Sequence, residues 1–529
     1  MGGRDATWLA IGASIFASNI GSEHLIGLAG AGASSGMAMA HWEIQGWMIL
    51  ILGWVFVPFY TRSMVYTMPE FLERRYNPQS RTILSVISLV SYVLTKVAVT
   101  VYAGGLVFQQ VFGIKELWGI DFFWIAAIGL VVLTALYTIF GGMKSVLYTS
   151  VLQTPILLLG SLIILILGFK ELGGWDEMMR VCGAVTVNDY GDTMTNLIRS
   201  NDDANFPWLG ALIGSAIIGF WYWCTDQFIV QRVLSGKNEM EARRGTIFGA
   251  YLKLLPVFLF LIPGMIAFAL HQKYIGAGGE GFLPMLENGT ANADAAFPTL
   301  VAKLLPAGVK GLVVCGILAA LMSSLASLFN SSAMLFTIDF YKRFRPETPE
   351  KKLVGIGQIA TVVIVILGIL WIPIMRSVGD VLYTYLQDVQ SVLAPGIAAA
   401  FLLGICWKRT SAQGGMWGLI SGMVIGLTRL GAKVYYSNAG EVADSTFKYL
   451  FYDMNWLFFC GWMFLFCIIV VIVVSLATEA PTAEKIQGLV FGTATKEQKA
   501  STRASWNHWD IIHTVIILAI TGAFYWYFW

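Results

Sequence analysis

Apolar runs of about twenty residues recur from one end of the chain to the other, each closed by a short polar loop. That is the length a helix needs to cross a hydrocarbon core. The runs predict helices over 7–31, 38–61, 82–112, 122–141, 146–170, 207–231, 245–271, 298–341, 353–375, 379–406, 413–436, 452–477 and 509–528, about thirteen transmembrane spans. The eighth is too long for one crossing and is expected to run past the membrane at its cytoplasmic end. Two runs carry small or polar residues in mid-span: Ser14, Ser18, Asn19, Gly21 and Ser22 in the first, and Gly219, Cys224 and Thr225 in the sixth. One interrupted helix in each group of five is the sequence mark of an inverted-repeat carrier. Lys and Arg gather in alternate loops, with Arg62, Arg74, Arg75 and Arg81 after the second helix and Lys342, Arg343, Arg345, Lys351 and Lys352 after the eighth. The 171–206 loop, on the other side, carries Asp176, Glu177, Asp189, Asp192, Asp202 and Asp203. This asymmetry places the N-terminus in the cytoplasm.

Composition strengthens the reading. Of 529 residues, 57% are hydrophobic and only 12% charged, where soluble domains carry about a quarter. The mean hydropathy of +0.69 belongs to an integral membrane protein. Nineteen Trp and twenty Tyr suit aromatic belts at the two interfaces. The net charge of +2, with no basic block, gives no sign of a nucleic-acid partner. Cys182, Cys224, Cys315, Cys406, Cys460 and Cys467 lack metal-ligand spacing, so neither zinc nor a disulfide is expected. No HExxH, GxSxG or paired-carboxylate motif stands in a credible setting, which argues against an enzyme. Met1 to Thr7 is polar and leads straight into an apolar helix, so no cleavable signal peptide is read. Asn288-Gly289-Thr290 forms a glycosylation sequon in an outer loop.

Charge inside a span costs ~2.5–3.5 kcal/mol at mid-helix, so ionisable groups there default to function. Glu43 at the start of helix two and Lys253 in YLKLLP are the strongest cases; Asn19 and His24 in helix one and Gln387 and Gln390 in helix ten join them. The competing reading is that such groups bond one another and hold the bundle. As a set they match a polyhydroxylated ligand, since carboxylate and amide oxygens accept from hydroxyls while ammonium, imidazole and amide groups donate to them. Trp221-Tyr222-Trp223 offers flat faces for a sugar's C–H patches, or packing. Ser323-Ser324 offers neighbouring hydroxyls which, with carbonyls freed at the break in helix one, would form a neutral oxygen cage for a hard cation. Alone, such a pair more often bonds to the preceding turn.

The stretches IGASIFASNIGSEHLIGLAG (11–30), HWEIQGW (41–47), FGGMKSVLYT (140–149), FWYWCTDQFIVQRVLSGKN (220–238), AYLKLLP (250–256), ILAALMSSLASLFNSSAMLFTIDFY (317–341) and YLQDVQSVLAPGIAAAFLLGICWKR (385–409) together resemble the sodium/solute symporter family, and within it the sodium/glucose cotransporter branch. The resemblance implies an all-α, leucine-transporter-type fold of two inverted five-helix repeats, 7–170 and 207–406, within a core of 1–406. Peripheral helices then occupy 407–529. Carried over by motif, it implies a sugar site of Asn19, His24, Trp42, Glu43, Tyr222, Trp223, Lys253 and Gln387. Leu28, Tyr222 and Tyr383 would serve as gates, and sodium would be held by carbonyls of Ala17, Ile20 and Ala320 with the hydroxyls of Ser323 and Ser324.

The implied activity is symport of a glucose- or galactose-type hexose with one Na+ by alternating access, at the plasma membrane and without an organic cofactor. Its partners are then a small sugar and membrane lipid. The alternatives are a myo-inositol or other polyol carrier, and a sugar sensor. Three departures from the family pattern stand out. Ser150 replaces an Asp associated with a second sodium, Glu23 stands where sugar-type relatives often have Gly, and the chain begins where a first family helix should already have ended.

Overall fold

In hydrocarbon every backbone N–H and C=O must bond within its own segment, so a chain this apolar is obliged to be helical. The computed structural model describes residues 5–21, 23–286, 289–378, 382–439 and 443–529, apart from the side chains of 137, 139–154, 350 and 374–378. Helices make up almost all of it. The one strand pairing beyond isolated bridges, among the described residues, is a two-residue hairpin, Glu116–Leu117 with Ile120–Asp121. The sequon residue Asn288 and the side chain of Ser150 lie outside the described residues.

Ten helices among the described residues are long and apolar enough to span a membrane, against thirteen expected from the sequence. The difference has three sources. The first predicted helix breaks after Trp8–Asn19, and its remainder joins the second in a run from Glu23 to Ser63. The fourth and fifth form one continuous helix, Phe122–Leu172, of which Pro155–Leu172 qualifies as a span. Ala412–Asn438, which carries Arg429 and Lys433, is less apolar. The eighth segment remains longer than one crossing, 38 residues, even after its start is set apart. Its beginning is a separate helix, Ala296–Leu304, cut off before Pro306, and the span itself runs from Ala307 to Phe344.

Leu159, Ile359, Leu370, Trp462 and Val473 are exposed on helix faces that a bilayer would cover. Inside, small residues let helices touch. A side chain at Gly264 would collide with the carbonyl of Ala29, and one at Gly32 with that of Leu261, so Ala29–Ser35 crosses the neighbouring helix at backbone contact. The breaks predicted at mid-membrane are real. Trp8–Asn19 ends in an extended Ile20, and Glu23–Leu28 resumes as a wide π turn. Trp208–Gly219 passes into a π turn, Phe220–Thr225, before extended Asp226 restarts Gln227–Leu234. Such turns widen the ladder and often mark functional positions.

Candidate functional site

A cavity opens where the two broken helices meet. Among its walls are Asn19, Glu23 and His24 from the first break, Trp42 and Gln45 beyond it, Tyr222 and Trp223 from the second, and Lys253, Tyr383 and Gln387. Each element delivers its side chain through an irregularity. Lys253 caps Glu239–Leu252 just before Pro256 interrupts the ladder, and Trp42 and Glu43 end the four-residue helix Ala40–Glu43. Tyr383 and Gln387 stand one turn apart on Leu382–Cys406, which puts them on one face.

Glu43, fully buried, is the electrostatic centre. Lys253 Nζ donates to its Oε2 at 2.5 Å, His24 Nε2 lies 3.1 Å from the same oxygen, and the Tyr383 hydroxyl donates to Oε1 at 2.6 Å. These donors require an ionised carboxylate acting only as an acceptor. The His24 proton therefore sits on Nε2, and Asn19, 3.3 Å from that nitrogen, is best turned to present its amide oxygen. Lys253 also lies 5.3 Å from the Trp223 ring centroid, a cation–π contact. Below Tyr222 a second buried pair, Lys96 with Asp226 at 2.7 Å, holds the Lys96 ammonium 4.8 Å from the phenol ring.

Polar capacity is left over. His24 Nδ1, Trp42 Nε1 and Gln387 Oε1 are buried without a hydrogen-bond partner, an arrangement that costs free energy unless a ligand or water completes it. The free space measures about 40 Å³, room for a few waters and too little for a six-membered ring. The walls must move apart to admit one.

The expected site residues are thus largely assembled: Asn19, His24, Trp42, Tyr222, Trp223, Lys253 and Gln387 line the cavity, and Glu43 backs it. Of the expected gates, Tyr222 and Tyr383 are on the wall, whereas Leu28 is packed away from it and fully buried. Ala17, Ile20, Ala320, Ser323 and Ser324 are all buried where Trp8–Asn19 packs on Ala307–Met334. Ala17 lies in the last turn of the broken helix, where carbonyls have no following N–H. Ser324 Oγ has no hydrogen-bond partner. That donor set fits a hard cation.

Residues the sequence reading passed over include Gln45, anchored by its amide to the Ser215 carbonyl, and Gly219, where a side chain would strike Gln45. Lys96 and Asp226 were also missed, although a lysine inside an apolar run obeys the same rule that singled out Lys253.

With this geometry in place, the likenesses to known proteins can be compared. The sodium:solute symporter family model matches residues 1–422. The sodium/myo-inositol cotransporter 2 of Homo sapiens is 37% identical over 506 residues, covering 93% of this chain and 74% of that protein. The sodium/glucose cotransporter 1 of Ovis aries is 39% identical over 508 residues, covering 90% and 74%. Among solved structures, a substrate-bound, outward-open Na+-coupled sialic acid symporter aligns with a TM-score of 0.68 at 22% identity, over 91% of this chain and 92% of its own. MhsT in complex with L-phenylalanine aligns with a TM-score of 0.51 at 13% identity, over 90% and 99%. These neighbours share the leucine-transporter-type fold.

Proposed function

The chain belongs to the sodium:solute symporter family, with Na+ as coupling ion, and on that premise we propose that its solute is a hexose of the glucose or galactose type. The observation that carries the proposal is the cavity wall. An ammonium, an imidazole and the amides of Asn19, Gln45, Gln387 and Gln390 converge there beside Tyr222 and Trp223, backed by the Glu43 carboxylate, and Trp42 Nε1, His24 Nδ1 and Gln387 Oε1 remain unpartnered. A ring rich in hydroxyls can donate to Gln387 and accept from Trp42 while stacking its C–H face on an aromatic ring.

A cavity too small for a sugar ring fits alternating access, in which the walls part on one side at a time. Sodium at Ala17, Ile20, Ala320, Ser323 and Ser324 would tie the first broken helix to Ala307–Met334 and order Asn19 and His24. Sugar would then stabilise the occluded state, and the coupling must be reciprocal. One Na+ suffices. A single charge across 100 mV is worth ~2.3 kcal/mol and a tenfold gradient adds ~1.4, enough for a several-hundred-fold accumulation. The alternating Lys/Arg loops place the N-terminus in the cytoplasm, and the plasma membrane is where a sodium gradient would serve uptake. The division into a core of 1–406 and peripheral helices over 407–529 belongs to the same proposal.

A myo-inositol carrier is the second reading, favoured by the similarity to the human sodium/myo-inositol cotransporter 2. Equilibrium binding of glucose, galactose and myo-inositol, with and without Na+, tests both in the wild type and in Gln387→Ala. Sodium-dependent hexose binding that weakens at least about tenfold in the variant supports the first reading. Binding of myo-inositol in preference to both hexoses replaces it with the second, and binding of none of them refutes both.

A further inference from the structure

The first break carries a carboxylate on the cavity wall to which no sugar contact has been assigned. Glu23 projects a carboxylate oxygen, Oε2, that is buried and has no hydrogen-bond partner. Its neighbourhood is marked by Gly21. A Cβ built there would lie 2.5 Å from Ser324 Oγ and 3.0 Å from Glu23 Oε2, so a hydroxyl and a carboxylate flank one spot that only glycine leaves open. Both oxygens are orphaned, and Ser324 is 6% exposed.

The charges around Glu23 are otherwise engaged. The groups facing it that can carry positive charge are His24, Lys96 and Lys253, with the phenols of Tyr222 and Tyr383 nearby. Lys96 is bound by Asp226 at 2.7 Å, and Lys253 and His24 are bound by Glu43 at 2.5 Å and 3.1 Å. Among the described residues Glu23 has no ion pair of its own. A buried carboxylate without a counter-ion is strongly unfavourable, and either a proton or a bound cation offsets it.

We infer that Glu23 is a ligand of the coupling cation, adding a negatively charged oxygen to the hydroxyls and carbonyls at Ser324 and the break in the first helix. The inference rests on the sodium-coupled reading and deepens it: a cage of neutral oxygens becomes a charged one. Hard cations take oxygen ligands, and for Ca2+, an ion of nearly the radius of Na+, oxygens sit at about 2.3–2.6 Å, with affinity set largely by ligand charge count. Sodium would therefore bind before sugar and without it, because none of its proposed ligands comes from the sugar.

Binding of radiolabelled sodium to the purified protein without sugar tests this, followed by glucose binding at saturating sodium. Glu23→Gln keeps shape and removes charge. It is expected to weaken sodium binding, measured without sugar, at least about tenfold. Unchanged sodium affinity overturns the inference, and a selective loss of glucose affinity overturns it in favour of a sugar-binding role. Should Glu23→Gln fail to fold, Glu23→Asp decides: withdrawing the carboxylate by one methylene should weaken sodium binding several-fold, and an unaltered affinity overturns the inference. A wild-type protein that binds no sodium would refute the symport reading itself, whatever the variants do.

Discussion

Replacing Lys253 with Met removes the ammonium and keeps the aliphatic stem. The perturbation can be sized from the geometry. Lys253 and Glu43 meet at 2.5 Å with side chains 5% and 0% exposed. Removing one partner of a buried pair costs ~3–5 kcal/mol, because the other charge is left uncompensated. Glu43 keeps the Tyr383 hydroxyl at 2.6 Å and His24 at 3.1 Å, which places the expected cost near the lower end, ~3 kcal/mol. Glu43→Gln strands the ammonium instead, and the Glu43→Gln/Lys253→Met double variant removes both charges together. Its loss should fall short of the sum of the single losses by ~1–3 kcal/mol. Apparent melting of the detergent-solubilised protein, followed by tryptophan fluorescence, reads all four states. Single variants that melt with the wild type, or strictly additive losses, would refute the view that this pair is a mutually dependent unit.

Three further outcomes follow from particular contacts. Asp294, in the loop turn Ala293–Ala295, accepts from the Leu382 N–H at 3.2 Å, and burial raises its carboxyl to about 7. A carboxyl raised in the folded state stabilises most at low pH, and the benefit is lost as pH climbs from ~4 through ~7. The wild type should therefore lose roughly 2–3 kcal/mol between pH 5 and pH 8 relative to Asp294→Asn, and parallel melting curves would contradict this. Gly264→Ala puts a methyl against the Ala29 carbonyl and should cost ~1–3 kcal/mol by overpacking, again read by melting. Gly219→Ala displaces Gln45 from the cavity wall and should lower sugar affinity with sodium binding unchanged in the same assays.

The breaks in the first and sixth helices were legible because Asn19, Gly21 and Ser22, and Gly219, Cys224 and Thr225, are small or polar where continuous apolar residues are expected. Glu43 and Lys253 stood out by the cost of charge in hydrocarbon, and the structure joins them directly. Other features were not legible for identifiable reasons. The direction of Glu23 cannot be projected from the preceding helix, because the 100° step per residue is lost at the break. Gln45 and Gly219 read as ordinary members of an apolar wall until one is seen to need the other. The thirteen expected spans and the ten among the described residues part where length and hydropathy do not distinguish a broken or continuous helix from two separate ones.

The most direct test of the account is uptake of radiolabelled glucose, galactose and myo-inositol into proteoliposomes under an inward sodium or potassium gradient, for the wild type and Ser324→Ala. The account predicts concentrative hexose uptake that needs the sodium gradient and collapses in the variant. Hexose equilibration that is equally fast with potassium would contradict it.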